Sequence, residues 1–182
     1  GRLIPAGRLR ESKNALRRAS AFVLTRCVPG RRETGLIEFL HRFNPAAPVF
    51  QSEVEPQQWV EYGSNALLPP GGLPPSVVAF CGLGNPATFW RALRQLGVRP
   101  VLRRTFPDHH RYTSGDLQQL CAQAVHVGAV ALVTTEKDAA NLPVLTGRDS
   151  MPMQVYALRI TSSVDPELLT FVASAIAAPD GD

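Results

Sequence analysis

The stretch 76-SVVAFCGLGNPATFWRALRQLG-97 decides the fold class of this 182-residue chain. Its first part, 76–84, is an apolar run ending in glycines, which is typical of a strand buried on both faces. A helix is then predicted over 86–97, because Pro86 suits the first helical position and Gly97 the position just past the end. A buried strand, a glycine turn and a helix in this order indicate a parallel α/β sheet.

The same alternation extends in both directions from this unit. We predict further strands at 21–26, 48–54, 98–106, 130–136 and 154–160, and further helices at 32–44, 114–127 and 166–177. The Pro/Gly-rich stretch 63–75 between them reads as a connector. We therefore expect an α/β protein with a parallel sheet covered by helices on both faces.

The composition is that of a soluble globular protein, with 45% hydrophobic residues and a net charge of +4. Three widely spaced cysteines, an odd number in apolar surroundings, favour buried thiols in a reducing compartment over disulfides or a CxxC zinc site. No apolar run approaches the roughly 18–20 residues that a membrane-spanning helix needs. We find no serine–histidine–acid set and no aromatic-and-basic platform, so no nucleic-acid partner is expected.

Positive charge is concentrated at the start of the chain. Six cations and one anion lie within the first 18 residues. This bias fits a phosphate-bearing partner or an anionic membrane surface, although a solvated basic face would produce the same pattern.

Three polar motifs follow predicted strands: 82-GLGNP-86, 106-FPDHH-110 and 134-TTEKD-138. The carboxyl ends of parallel strands meet at one edge of a sheet, and ligands of such folds bind there. The sequence therefore predicts a site at this edge.

The GLGNP motif has two interpretations. A glycine turn before a helix can present backbone N–H groups to a phosphate. This one lacks the third glycine of a dinucleotide-binding turn and the lysine of a Walker A loop. A tight strand–helix turn with Asn85 as the N-cap is favoured.

The Asp108-His109-His110 triplet has three interpretations. A dinuclear metal site needs further aspartate and histidine ligands, and the other histidines, His41 and His126, are not followed by them. The triplet is therefore not expected to bind a metal. A histidine acting in proton transfer or as a charge partner, with Asp108 fixing its tautomer, and a turn that only caps backbone groups both remain open.

The TTEKD motif carries the only lysine besides Lys13. Lys137 is a candidate phosphate ligand, with Glu136 or Asp138 orienting it. A solvated charge cluster that caps the next turn is the alternative.

Taken together, the motifs resemble a known family. The stretches 1-GRLIPAGRLRES-12, 20-SAFVLTR-26, 79-AFCGLGNPATFWRALRQLG-97, 106-FPDHHRYTSGDL-117 and 133-VTTEKDAANL-142 resemble, in this order, the C-terminal half of tetraacyldisaccharide 4'-kinase. The resemblance implies transfer of the ATP γ-phosphoryl group to the 4'-hydroxyl of a lipid A disaccharide precursor, tetraacyldisaccharide 1-phosphate. It also implies Mg²⁺ and a location at the cytoplasmic face of the bacterial inner membrane.

The resemblance further implies a division of the chain and a set of site residues. Residues 1–55 would be the tail of a P-loop kinase domain, 56–75 a linker, and 76–182 a C-terminal α/β domain, with the active site in the cleft between the two domains. His109 matches the family's histidine in a Phe-x-Asp-His turn, which assists a catalytic aspartate from the other domain. Arg10 and Glu11 match its Leu-Arg-Glu segment beside the active site.

The chain departs from the family by what it lacks. It contains no GxxxxGK[ST] loop, no acidic magnesium-binding stretch and no candidate for the catalytic aspartate. ATP and Mg²⁺ would be bound mainly by a preceding half, so we expect a portion of a longer polypeptide that is inactive by itself. The alternative is a stand-alone, non-catalytic module that binds a phosphorylated glycolipid or a protein partner.

Overall fold

The computed structural model describes residue 4 and residues 9–143 and 153–177. It confirms the predicted α/β class. The described residues form two compact units. The first contains those up to Glu55 together with those from Ser162 onward, and the second contains those between Pro56 and Thr161.

In the part of the chain that the structure describes, seven strands and five α-helices follow an initial 3₁₀ helix at Lys13–Arg18. In chain order they are β1 (Phe22–Cys27), α1 (Thr34–His41), β2 (Val49–Glu61), β3 (Leu67–Leu68), β4 (Val77–Cys81), α2 (Pro86–Gln95), β5 (Leu102–Thr105), α3 (Ser114–His126), β6 (Ala131–Thr135), α4 (Glu136–Ala139), β7 (Gln154–Val164) and α5 (Pro166–Ala177).

The second unit is built on a parallel sheet with the strand order β5-β4-β6-β7. In the register, Val78 of β4 lies opposite Leu102 of β5 on one side and Leu132 of β6 on the other. The chain leaves β4 toward β5 and leaves β6 toward β7, in opposite directions. The gap between the carboxyl ends of β4 and β6 is thus a topological switch point, where α/β sheets commonly bind ligands.

Both faces of β4 are covered, which explains its unbroken apolar sequence. Val78 and Phe80 pack in one cluster with residues of α3, among them Leu117 and Leu120. The alternate positions Val77, Ala79 and Cys81 pack in a second cluster with Phe89 and Leu93 of α2. All five β4 side chains are buried, so this strand is the centre of the unit.

The first unit pairs β1 with β2 in parallel, with Phe22 opposite Val49. Its chain-terminal helix α5 packs here, because the Phe171 ring lies 5.6 Å from that of Phe50 and the Asp165 N–H donates to the Gln51 carbonyl oxygen at 3.2 Å. Residues 162–177 thus belong to the first compact unit, through contacts between residues that are distant in sequence.

Several strands differ in length from their predictions, β2 and β5 among them. Strand β2, predicted to end at residue 54, continues past Pro56 to Glu61. Pro56 lies between the residues of β2 that pair with β1, the last of which is Glu53, and those that pair with β3, which begin at Trp59. Strand β5 begins only at Leu102, after Pro100.

Candidate functional site

The turns that follow β4, β5 and β6 meet at the carboxyl edge of the second unit's sheet, as the sequence predicted. Several hydrogen bonds join them directly, among them the following two. The Gly82 N–H donates to Asp138 Oδ1 at 2.9 Å, and Lys137 Nζ donates to Asp108 Oδ1 at 3.1 Å. The polar residues of this edge fall into a buried set and an exposed set.

The more deeply placed set, here called the inner polar layer, consists of the buried residues Gly82, Tyr112 and Asp138 and the partly buried Thr135. Asp138 is 1% exposed and lies at the switch point. One of its carboxylate oxygens accepts from the Gly82 N–H and, at 3.1 Å, from the Tyr112 hydroxyl, and the other accepts from the Thr135 hydroxyl at 2.6 Å. With three donors on a buried carboxylate, the layer ties the ends of β4 and β6 to the turn after β5.

Burial around Asp138 also determines the protonation of its neighbours. Burial, followed by the charge of Asp138, raises the pKa of the Cys81 thiol to about 12. The same two causes and the hydrogen bond to Asp138 raise the pKa of Tyr112. Both groups therefore keep their protons at neutral pH, and neither is a candidate base.

Gly82 is required by close packing within the inner polar layer. A Cβ atom at this position would lie 2.9 Å from the Pro107 carbonyl oxygen and 3.2 Å from Asp138 Oδ1. The favoured interpretation of the GLGNP motif as a tight turn agrees with this packing. Asn85 occupies the N-cap position of α2, but its side chain makes no capping hydrogen bond.

The exposed set, here called the outer charged group, consists of Asp108, His109 and Lys137. The side chains of Asp108 and Lys137 are each 44% exposed. The hydrogen bond from Lys137, with the charges of Lys137 and His109, holds the pKa of the Asp108 carboxyl below its usual range. Asp108 is thus ionised at neutral pH and paired with a cation.

Gly84 approaches the outer charged group as closely as Gly82 approaches the inner layer. A Cβ atom at Gly84 would lie 2.8 Å from Asp108 Oδ2. The Gly84 backbone also contributes a hydrogen bond that lowers the pKa of Asp108. The second glycine of the motif thus leaves room for the Asp108 carboxylate.

His109 is the exposed histidine of the pair. Its side chain is 77% exposed, and its backbone has φ +58°, a left-handed conformation that is uncommon outside glycine. Its N–H donates to Asp108 Oδ1 at 3.1 Å, and its Nε2 lies 3.8 Å from Asp108 Oδ2. An accessible imidazole beside a carboxylate has the surroundings that a proton-transfer or charge-stabilising role requires.

His110, in contrast, is packed. Its ring stacks on Phe106 with centroids 4.7 Å apart, meets Tyr112 edge to face, and has Nε2 3.2 Å from Asp116 Oδ2. Asp116 also forms a capping box with Thr113 at the start of α3. The Thr113 backbone N–H, more than its hydroxyl or His110, lowers the pKa of Asp116. His110 therefore anchors the turn from which His109 projects.

Glu136, predicted as a supporting residue, accepts from Arg159 Nε at 2.8 Å, with both side chains about two-fifths exposed. Sequence reasoning missed Arg159. The available signal was an arginine in the second half of an otherwise apolar strand, beside the predicted carboxyl edge.

The two N-terminal candidates belong to the first unit. Arg10 is exposed, and Glu11 forms an ion pair with Arg18. Two of the six cations in this basic segment, Arg2 and Arg8, lie outside the described residues.

Within residues 9–143 and 153–177, no group of three or more histidine, cysteine, aspartate or glutamate side chains is arranged to hold a metal ion. No helix in that part of the chain is long and apolar enough to cross a membrane.

The fold and the edge define a class of protein: an α/β protein with charged side chains beside a switch point, where such folds bind ligands. The family follows from comparison. Residues 1–177 match the family model for LpxK, tetraacyldisaccharide-1-P 4'-kinase, and the chain belongs to this family.

Individual relatives agree with this assignment. The tetraacyldisaccharide 4'-kinase of Parvibaculum lavamentivorans is 35% identical over 182 residues, covering 97% of this chain and 49% of the relative. That of Desulfotalea psychrophila is 34% identical, covering 90% and 47%. The crystal structure of an "apo" form of LpxK from Aquifex aeolicus in complex with ATP matches with a TM-score of 0.56 at 26% identity, covering 97% of this chain and 49% of that one. The chain thus spans about half the length of the curated relatives it matches.

Proposed function

We propose that this chain is part of an ATP-dependent kinase that phosphorylates the 4'-hydroxyl of tetraacyldisaccharide 1-phosphate. The observation that carries the proposal is the family match over residues 1–177. It is supported by relatives named tetraacyldisaccharide 4'-kinase and by a solved relative in complex with ATP. The outer charged group offers accessible side chains for this chemistry at the carboxyl edge.

In this proposal His109 assists a catalytic aspartate supplied by the part of the polypeptide that this chain does not span. Phosphoryl transfer depends mainly on positioning and on electrostatic stabilisation of the transferred group. The His109 imidazole is accessible to solvent and has its Nε2 atom 3.8 Å from Asp108 Oδ2, which suits it to positioning the aspartate or to stabilising charge. Arg10 and Glu11 are proposed to lie beside the phosphates, where an arginine can donate two hydrogen bonds at once.

Magnesium and ATP are proposed to bind mainly to residues outside this chain. The three carboxylates of the TTEKD and DHH motifs do not fit a magnesium site, because Asp138 is buried and accepts from three donors, Asp108 is paired with Lys137 and Glu136 with Arg159. The division into a P-loop tail over 1–55, a linker over 56–75 and a C-terminal domain from 76 remains part of this proposal.

The proposed setting is the cytoplasmic face of the inner membrane. The basic segment at the start of the chain would face anionic lipid headgroups and the phosphate of the substrate. A lipid substrate with four acyl chains resides in a membrane, so an enzyme acting on it must work at the bilayer surface.

The direct test is a phosphoryl-transfer assay with radiolabelled ATP, Mg²⁺ and tetraacyldisaccharide 1-phosphate in mixed micelles. Two proteins are compared: the polypeptide extended upstream to the length of its relatives, and the 182-residue chain. We expect transfer by the first and none by the second. An inactive extended protein, together with lipid binding by the 182-residue chain, would favour the stand-alone module.

A further inference from the structure

We infer that Lys137 is a positioning residue: it holds the Asp108 carboxylate, which in turn fixes the place of His109. The inference rests on the proposed function and revises the expected role of Lys137 as a phosphate ligand. It follows from the contacts of the outer charged group and of the segments that support it.

Asp108 is the link between Lys137 and the histidine. Its Oδ1 atom accepts both from Lys137 Nζ and from the His109 N–H, each at 3.1 Å. Its Oδ2 atom lies 3.8 Å from the His109 ring nitrogen Nε2. One carboxylate therefore contacts the backbone and the side chain of His109 while it is held by a residue 29 positions away.

The backbone at His109 needs such support. Its φ of +58° costs a non-glycine residue free energy, and surrounding contacts must compensate for that cost. The bond between Asp108 and the His109 N–H joins neighbours in the chain and cannot locate the turn relative to the sheet. His110 anchors the residue after His109, and the Asp108 carboxylate itself is tied to other elements by Lys137 Nζ and by the hydrogen bond from the Gly84 backbone.

The backbone segment that carries Lys137 is held in place by hydrogen bonds. It lies in α4, a single helical turn whose N-cap Thr135 accepts from the Asp138 N–H at 3.1 Å. Asp138 is bonded in turn to Gly82 and Tyr112 in the buried layer. The inner polar layer therefore fixes the position of α4 and of Lys137, and the Lys137 ammonium in turn fixes the position of the Asp108 carboxylate.

Gly84 provides independent evidence that the place of the carboxylate matters to this turn. The 2.8 Å between Asp108 Oδ2 and a hypothetical Cβ on Gly84 means that alanine would push the carboxylate away. The atom displaced is the end of a side chain, so the change moves Asp108 without disturbing the backbone core. Gly84→Ala and Lys137→Met should therefore have the same effect from opposite sides.

The experiment measures kcat and KM for ATP and lipid in the extended protein. The variants are Lys137→Met, which keeps the length of the side chain without its charge, Lys137→Arg, Gly84→Ala, His109→Ala and the double variant His109→Ala/Lys137→Met. Arg159→Met is the matched control, since it breaks an ion pair of similar exposure at the same edge without touching Asp108. Gly71→Ala is the control for the glycine, because a Cβ there meets nothing within 4 Å.

We expect Lys137→Met and Gly84→Ala to lower kcat about tenfold, with KM changed by no more than about twofold, because misplacing a catalytic group affects the rate more than binding. Lys137→Arg should recover most of the rate, since it keeps a charged donor. The double variant should be no slower than His109→Ala alone, because Lys137 acts through His109. Both controls should retain wild-type kcat.

A direct phosphate contact would produce the opposite pattern. A several-fold rise in KM for Lys137→Met, with losses that multiply in the double variant, would overturn the inference and restore the role of Lys137 as a phosphate ligand. A wild-type rate in Gly84→Ala would overturn it as well.

A second readout separates this inference from the proposed function. In the NMR spectrum of the 182-residue chain, Lys137→Met should shift the His109 amide and imidazole signals, whereas Arg159→Met should leave them in place. Unchanged His109 signals in Lys137→Met would overturn the inference even if the kinase is active. An inactive wild-type extended protein would overturn the proposed function instead.

Discussion

The inner polar layer and the outer charged group each contain an aspartate at the same sheet edge, but the two carboxylates differ in their surroundings. Asp138 is 1% exposed and has three donors, whereas Asp108 is 44% exposed and pairs with one lysine. Each aspartate is approached by a glycine of one Gly-Leu-Gly turn, Gly82 on the inside and Gly84 on the outside. Both residues are aspartates, so it is the degree of burial that distinguishes Asp138, which supports the fold, from Asp108, which is accessible for chemistry.

The largest effect is expected from removing the inner carboxylate. Asp138→Ala would leave the buried Gly82 N–H and Tyr112 hydroxyl, and the partly buried Thr135 hydroxyl, without their acceptor, at a cost of about 3–5 kcal/mol in the free energy of unfolding. Urea denaturation measures this. Glu136→Ala, two residues earlier in the same helical turn, removes an exposed partner of Arg159 and should cost less than about 1 kcal/mol. Equal losses in the two variants would remove the distinction between the layers.

The two glycines provide the next comparison. Gly82→Ala forces a Cβ against the Pro107 backbone oxygen and should destabilise the protein by about 1–3 kcal/mol, the usual cost of overpacking. Gly84→Ala meets only the end of the Asp108 side chain and should cost less than about 0.5 kcal/mol. Urea denaturation of the two variants measures these changes. A larger loss of stability in Gly84→Ala than in Gly82→Ala would contradict the assignment of Gly82 to the inner layer and Gly84 to the outer group.

A smaller effect, of opposite sign, is expected at the exposed histidine. His109→Gly relieves the left-handed backbone strain and should stabilise the fold by about 1 kcal/mol, less the entropy that glycine adds to the unfolded chain. His110→Ala, at the packed position, should destabilise it by about 1–2 kcal/mol through loss of the stacked ring. Thermal unfolding of the two variants measures both changes in stability. A destabilised His109→Gly would show that the His109 side chain contributes to the packing of the fold.

The smallest effect concerns pH. Because the folded-state pKa of Asp108 is lowered, its pairing with Lys137 stabilises the fold fully above the ordinary carboxyl pKa of about 3.9 and is lost as the pH falls through the lowered value. Lys137→Met should move the Asp108 titration back toward the ordinary value, as followed by ¹³C NMR of the carboxyl group.

Asp116 is the internal control for this titration. Its pKa is lowered chiefly by the Thr113 backbone, so its titration should not respond to Lys137→Met. An unmoved Asp108 titration in that variant would show that the ion pair is not formed in solution.

Much of the edge could be predicted from the sequence. Strand–helix alternation implies parallel strands, and parallel strands bring their carboxyl ends together, so the meeting of the three motifs followed from periodicity alone. The short helix α4 was missed, although Thr135 and Asp138 have the spacing of a capping box. Thr134 and Thr135 end strand β6 as predicted, and only Glu136, predicted as the last strand residue, lies in the helix instead.

The sequence does not reveal which of the two adjacent histidines is packed and which is exposed. His110 is packed because Phe106, Tyr112 and Asp116 surround its ring, and His109 is exposed because the chain turns left-handed there. These contacts depend on how the turn folds back on α3, which sequence spacing alone does not determine.

The central claim is that the outer charged group serves phosphoryl transfer while the inner layer serves the fold. Its most direct test is the kinase rate of the extended protein carrying His109→Ala, measured beside its free energy of unfolding. We predict a rate reduced by roughly 10²-fold or more, in line with lost acid/base assistance, at wild-type stability. A wild-type rate without the His109 imidazole would contradict the claim and leave the Asp-His-His turn with a structural role only.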